Sequence, residues 1–205
     1  LKSKRIDIVL AKEGIGPLLA VSVKGTSKAF RNLVNRTEEA IGDCANIHIM
    51  YPGLVYGFVH FLRATDASDR KLKANDILLS EDGEVPRAVK DYARILEGLS
   101  GRKLVRNDFS RYEAVALALL AVNTQAGQSP LLDRFPGSDS PLSLNSFFSS
   151  LYEVYDLRFS YTYTDPGVKH LSRVSWAADS PALISLQQNA ELIGSLEYKL
   201  RVSGN

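Results

Sequence analysis

The chain has 205 residues, 45% of them hydrophobic and 23% charged, with a formal net charge of +2. That supplies one cored domain, or one domain with an elaborate tail, and too small a basic excess to argue for nucleic acid on charge alone. Cys44 is the only cysteine and His48, His60 and His170 are the only histidines, which excludes an internal disulfide and nearly excludes a cysteine-based zinc site.

No run of about 18 apolar residues is present, and no signal peptide is expected from the opening residues. A reducing cytoplasm is the expected setting. The chain enters a strand almost at its first residue, from which a missing N-terminal piece is expected.

In chain order, Ile6 to Leu10 is a short apolar run holding one acid, Asp7. "KEGIGP" reads as a turn. Leu18 to Val23 is a second strand, and the two predict an antiparallel hairpin. Ser27 to Ile41 predicts a helix, with Phe30, Leu33, Val34, Thr37 and Ile41 on one face, Ser27 as N-cap and Gly42 as stop. "ANIHIMYP" and "YGFVHFLRA" follow as strands. A charged loop is expected from Thr65 to Glu84, and helices over Pro86–Leu99, Phe109–Asn123 and Leu144–Tyr155. "RFSYTYTDPGVKHLSRVSW" suggests a hairpin turned at Asp165-Pro166-Gly167.

The first hairpin carries the chemistry. It brings the Asp7 carboxylate near the Ser22–Lys24 strand end, although a solvated ion pair accounts for that pair equally well. The helix adds a second carboxylate. With Phe30 at zero and roughly 100° per residue, Glu38 falls near 80°, at the border of the apolar face, and Glu39 near 180°, toward water. Asp7, Lys24 and Glu38 are therefore expected to converge. Two carboxylates and a lysine suit phosphodiester cleavage with Mg2+, a cation that takes hard oxygen ligands while a lysine supports the developing charge.

The run "ID…SVK", a strand aspartate followed by a hairpin strand ending in x-x-Lys, resembles the PD-(D/E)XK nuclease superfamily. Ile6 stands in place of its proline and Ser22 in place of its second acid. The sequence is similar to a branch of type II restriction endonucleases in which the strand carries Ser-x-Lys. There the missing carboxylate comes from the following helix, fourteen residues after the lysine, which here is Glu38. "NRTEEA" is similar to that branch's Arg-x-Glu context. The resemblance covers Arg5 to Pro52. It implies Asp7 and Glu38 as metal ligands, the Val23 carbonyl completing the set, Lys24 as the catalytic lysine, and Ser22 as a relic or a supporting group behind the ligands.

The implied fold is α/β, a restriction-endonuclease-like mixed central sheet flanked by helices. Residues 1–64 would form the nuclease core and 65–205 a helical and hairpin elaboration of the same domain. Lys28, Arg31 and Arg36 on the helix, and Lys169 and Arg173 in the late hairpin, are candidates for phosphate contact. A solvated helix face explains the first three as well, and an edge hairpin or a dimer contact explains the late hairpin as well. Arg158, Tyr161, Tyr163 and His170 share that hairpin, and Trp176 is read as packing. His48 and His60 read as core histidines, and Arg111, Tyr112 and Glu113 as a capping and surface group opening a helix.

Three functions fit. The first is a Mg2+-dependent DNA endonuclease, a type II restriction enzyme acting as a homodimer on double-stranded DNA beside a cognate methyltransferase. The second is a repair or structure-specific nuclease of the same core. The third is an inactive DNA-binding or assembly domain.

Overall fold

The structure, a computed structural model, describes residues 6–26, 33–66, 77–80, 82, 84–106, 108–121, 131–132, 134–159, 176–177, 179, 184 and 202–203. It is an α/β chain that divides into two compact units, 1–159 and 160–205.

The first unit is built on a mixed sheet. Strands β1 (Ile8–Lys12) and β2 (Gly16–Thr26) are antiparallel, with Ile8 opposite Val21 and Lys12 opposite Gly16. Gly14 and Gly16 take φ of +79° and +97° at their connection, angles that a β-carbon disfavours. Helix α1 (Leu33–Met50) crosses over to β3 (Val55–Asp66), which lies parallel to β2 along Leu19–Thr26. The short β4 (Ile77–Leu79) pairs with the end of β3. Helix α2 (Arg87–Gly98) leads to β5 (Ala114–Ala121), parallel to β3 on its other side. A two-residue β6 (Leu131–Leu132) pairs antiparallel with β5, and α3 (Leu144–Phe159) follows. The sheet order is β1-β2-β3-β5-β6.

Strand alternation sorts side chains into two cores. Ala20, Tyr56, Phe58, Leu62 and Leu117 pack with Ala40, Cys44 and Ile47 of α1 and Val89, Tyr92 and Leu96 of α2. Val21, Val55, Val59 and Ala116 pack with Phe147, Leu151 and Val154 of α3. Gly57 lies on this second face, and a β-carbon there would come 2.7 Å from the Phe147 ring. The missing side chain is what admits α3. In the second unit, β7 (Trp176–Ala177) and β8 (Val202–Ser203) form a parallel pair. No helix among the described residues is long and apolar enough to cross a membrane.

Several sequence expectations are corrected. The segment "ANIHIM" is the second half of α1, which runs straight through Gly42. Cys44, Ile47 and His48 are buried while Ile49 and Met50 are exposed, a helical period that the Ile47/Ile49 alternation disguises. Ser27 to Asn32 lie outside the described residues. The stretch expected as a helix over Phe109–Asn123 contains β5 instead. A parallel strand buried on both faces reads as an unbroken apolar run, which periodicity cannot tell from a buried helix. The charged loop after Thr65 contains β4. Arg158 and Phe159 end α3 instead of starting a hairpin. The remainder of that hairpin, with Tyr161, Tyr163, Lys169, His170 and Arg173, lies outside the described residues. The sheet continues past position 64, since β5 pairs along β3.

Candidate functional site

Asp7 stands immediately before β1, and the register brings it to the Ser22–Val23 stretch of β2. Its Oδ2 accepts the backbone N–H of Val23 at 2.8 Å. Ser22 and Lys24 share the face of β2 that looks toward α1 and α2, while Val23 packs among the apolar residues of the opposite face. Ser22 is buried. Its hydroxyl acts on the Tyr56 phenol, which burial pushes up to about 12 and the serine partly offsets. Ser22 is thus a polar group beneath the strand surface.

A small recess opens between this strand end and α1, lined by Ser22, Lys24, Arg36, Glu39, Asp43 and His60 among others. Glu39 belongs to it; Glu38 is exposed outside it. This corrects the helical phase read from sequence. The buried axis of α1 is set by Ala40, Cys44, Ile47 and His48, three of them C-terminal to the residues first used to place it. Moving the axis onto them turns it by roughly 50° at 100° per residue. Glu38 and Glu39 then flank the buried face about equally, on opposite sides. Arg36, Glu39 and Asp43, spaced by three and four residues, share the flank beside β2. The Arg36 Nη1 donates to Glu39 Oε2 at 2.9 Å, with both side chains about half exposed. Lys28 and Arg31 lie outside the described residues.

Oxygen donors at this strand end suit Mg2+. Among the described residues, the Asp7 carboxylate is held through one oxygen by Val23, and Glu39 is held by the exposed Arg36 pair. A cation that keeps several waters needs no more than one or two protein carboxylates. Asp7, Glu39 and the Val23 carbonyl would hold it. Among the described residues there is no group of three or more His, Cys, Asp or Glu side chains placed to hold a metal.

His60 sits on β3 in register with Lys24 and is fully buried. Its Nδ1 lies 2.6 Å from the Tyr92 hydroxyl. Burial, aided by the Arg36 and Lys24 charges, lowers its pKa to about 4, so the ring is neutral at physiological pH.

A second polar centre lies apart from the recess. Glu113, directly before β5, is completely buried. Its Oε1 accepts from Arg102 Nη1 and Arg158 Nη1, both at 2.6 Å, and its Oε2 from the Tyr56 N–H at 2.7 Å. His48 Nε2 lies 3.2 Å from that same Oε2, and His48 Nδ1 lies 3.1 Å from the Phe109 carbonyl. Arg102 and Arg158 also donate to the carbonyls of Pro52, Val105, Leu54 and Lys103. This network ties the ends of α1 and α3 to the starts of β3 and β5. It corrects the reading of Glu113 as a surface or capping group, and of Tyr112, which is buried and donates to the Ala40 carbonyl at 2.8 Å. Arg111 remains at the surface, near Asp108.

No family model, curated protein or solved structure matches the chain.

Proposed function

We propose that the chain is a Mg2+-dependent endodeoxyribonuclease of the PD-(D/E)XK type, acting as a type II restriction enzyme. The observation that carries this is the Asp7–Val23 hydrogen bond, which fixes a carboxylate at the strand end bearing Lys24. The surrounding connectivity supports it. An antiparallel hairpin is followed by a helix and then by a strand parallel to the hairpin's second member, the order in which strand acid, strand lysine and helix acid succeed one another in sequence.

Glu39 takes the role first given to Glu38, since it shares the recess with Lys24. Asp7, Glu39 and the Val23 carbonyl are the metal ligands. Bound Mg2+ supplies phosphate polarisation and a more acidic water. The Lys24 ammonium, at the strand end, supports negative charge developing on the phosphate. Arg36 neutralises Glu39 and can exchange that partner cheaply, because an exposed ion pair contributes at most about 1 kcal/mol. The substrate is double-stranded DNA, and a homodimer is the simplest way to cut both strands of a two-fold site. A cognate methyltransferase would protect the same site.

Purified protein with Mg2+ should cut unmethylated duplex DNA into discrete fragments, and Lys24→Ala should not. Cutting confined to branched DNA would instead indicate a structure-specific nuclease. Binding without cutting in any divalent cation would indicate a non-catalytic domain.

A further inference from the structure

The recess floor holds a buried polar group that the proposed chemistry leaves unused. Among the described residues, His60 Nε2 is enclosed and has no hydrogen-bond partner. Native structures rarely leave such a group unpaired. Its protonation state follows from the other side of the ring. Tyr92 is buried, and burial keeps its phenol protonated. Among the described residues, His60 Nδ1 is the partner shown for that hydroxyl, at 2.6 Å. If the phenol proton points to Nδ1, the imidazole proton resides on Nε2. The reverse arrangement strands a buried O–H. Nε2–H is then a donor on a residue that lines the recess with Lys24 and Arg36. An N–H dipole beside two cations is unfavourable by itself. It becomes favourable when an anionic oxygen lies between them.

Resting on the nuclease reading for its substrate, we propose that the recess is an oxyanion subsite. One non-bridging phosphate oxygen is received there by the neutral His60 Nε2–H together with the Lys24 ammonium and the Arg36 guanidinium. The space is water-sized, enough for a single oxygen. Glu39 and Asp43 border the same recess and hold it near neutrality until the phosphate enters. Entry requires the Arg36–Glu39 pair to part, which frees Glu39 for the cation and Arg36 for the phosphate.

The test uses the whole chain with 15N-labelled histidine. Nitrogen NMR should place the His60 proton on Nε2. Inorganic phosphate, and separately a duplex oligonucleotide without terminal phosphates, should move that signal saturably. Both responses should weaken severalfold in Lys24→Gln. His60→Gln, which keeps an N–H near the tip, should retain part of the duplex affinity and of kcat/KM that His60→Leu loses at equal thermal stability. A proton on Nδ1, or an Nε2–H signal that neither phosphate nor duplex moves, overturns the subsite. Cleavage by wild type with an unmoved His60 signal would overturn the subsite and leave the nuclease reading standing. A phosphate response without cleavage would do the opposite.

Discussion

The Asp7 carboxylate accepts the Val23 N–H across the first hairpin at 2.8 Å, so the acid is held by the strand whose next residue is Lys24. Such a bond between a charged group and a main-chain N–H contributes about 1.5–3 kcal/mol when sheltered and less at an exposed site. Its larger effect is positional. A ligand whose orientation is fixed loses less freedom when a cation arrives.

Asp7→Asn keeps an oxygen acceptor for Val23 but removes the charge a metal needs. Lys24→Ala removes the ammonium alone. Each should reduce Mg2+-dependent cleavage by at least about 10²-fold, the scale of losing one stabilising group in a transition state. The circular dichroism spectrum should stay close to wild type in both, and duplex affinity in Ca2+ should stay close to wild type in Asp7→Asn and fall severalfold in Lys24→Ala. Wild-type cleavage by either variant would sink the assignment of this strand end.

Two adjacent acids on α1 compete for one role, and the recess favours Glu39. Glu39→Ala should lose activity by orders of magnitude and raise the Mg2+ concentration needed for half-maximal cleavage. Glu38→Ala, on the exposed flank, should remain near wild type, as surface substitutions usually change stability by no more than about 0.5 kcal/mol. The opposite ranking would restore the fourteen-residue spacing from Lys24 as the better guide.

That contest marks how far the residues could be read before the structure. The β1–β2 hairpin, α2 and α3 were legible from alternation, glycine turns and 3.6-residue periods. Helix α1 was only half legible, because its buried axis is set by small or polar residues, Ala40, Cys44 and His48, that a hydrophobic count undervalues. A phase difference of half a residue step was enough to place Glu39 in the recess and leave Glu38 outside it. The Glu113 network was not legible. Its side-chain partners Arg102, Arg158 and His48 lie 11, 45 and 65 residues away, and no local pattern connects them. His60 was read correctly as a core histidine, but its unpaired nitrogen depends on the distant Tyr92.

Gly57 offers a test of the α3 interface. An added β-carbon would lie 2.7 Å and 2.9 Å from two Phe147 ring atoms and 3.1 Å from Leu151. The ring is itself fully buried, so it has little room to withdraw. Overpacking of this kind costs about 1–3 kcal/mol. Gly57→Ala should lower Tm accordingly, and Phe147→Leu in the same chain should recover part of the loss. Strict additivity of the two changes would mean that the contact does not limit packing.

Removing the Glu113 carboxylate leaves Arg102 and Arg158 buried without their anion. Breaking a buried ionic pair from one side costs about 3–5 kcal/mol. Glu113→Ala should therefore lower Tm by roughly 10 °C for a unit of this size. Glu113→Gln keeps the shape and one acceptor oxygen, and should cost less. A Tm unchanged in Glu113→Ala would mean that the two arginines find other partners.

Acid stability separates the two polar centres. Burial alone would raise the pKa of Glu113. The His48 hydrogen bond and charge, the Arg158 charge and the Tyr56 N–H outweigh it, and the carboxyl stays below its ordinary value. A depressed carboxyl contributes stability that is fully present above its unfolded pKa and is lost as pH falls through the folded one. That loss begins near pH 4.5 and deepens below it. His60 acts in a higher window. Its folded pKa is about 4 against 6.5 unfolded, so the unfolded chain binds the extra proton first. Its contribution is complete above about pH 6.5 and fades toward pH 4. At about 1.4 kcal/mol per unit, the difference is on the order of 3 kcal/mol. Urea unfolding from pH 7.5 to 4 should show stability falling first between pH 6.5 and 4.5. In His60→Gln, which has no titrating group at that site, the fall should begin only below about pH 4.5. An unchanged profile in His60→Gln would mean that the imidazole is not held neutral by its surroundings.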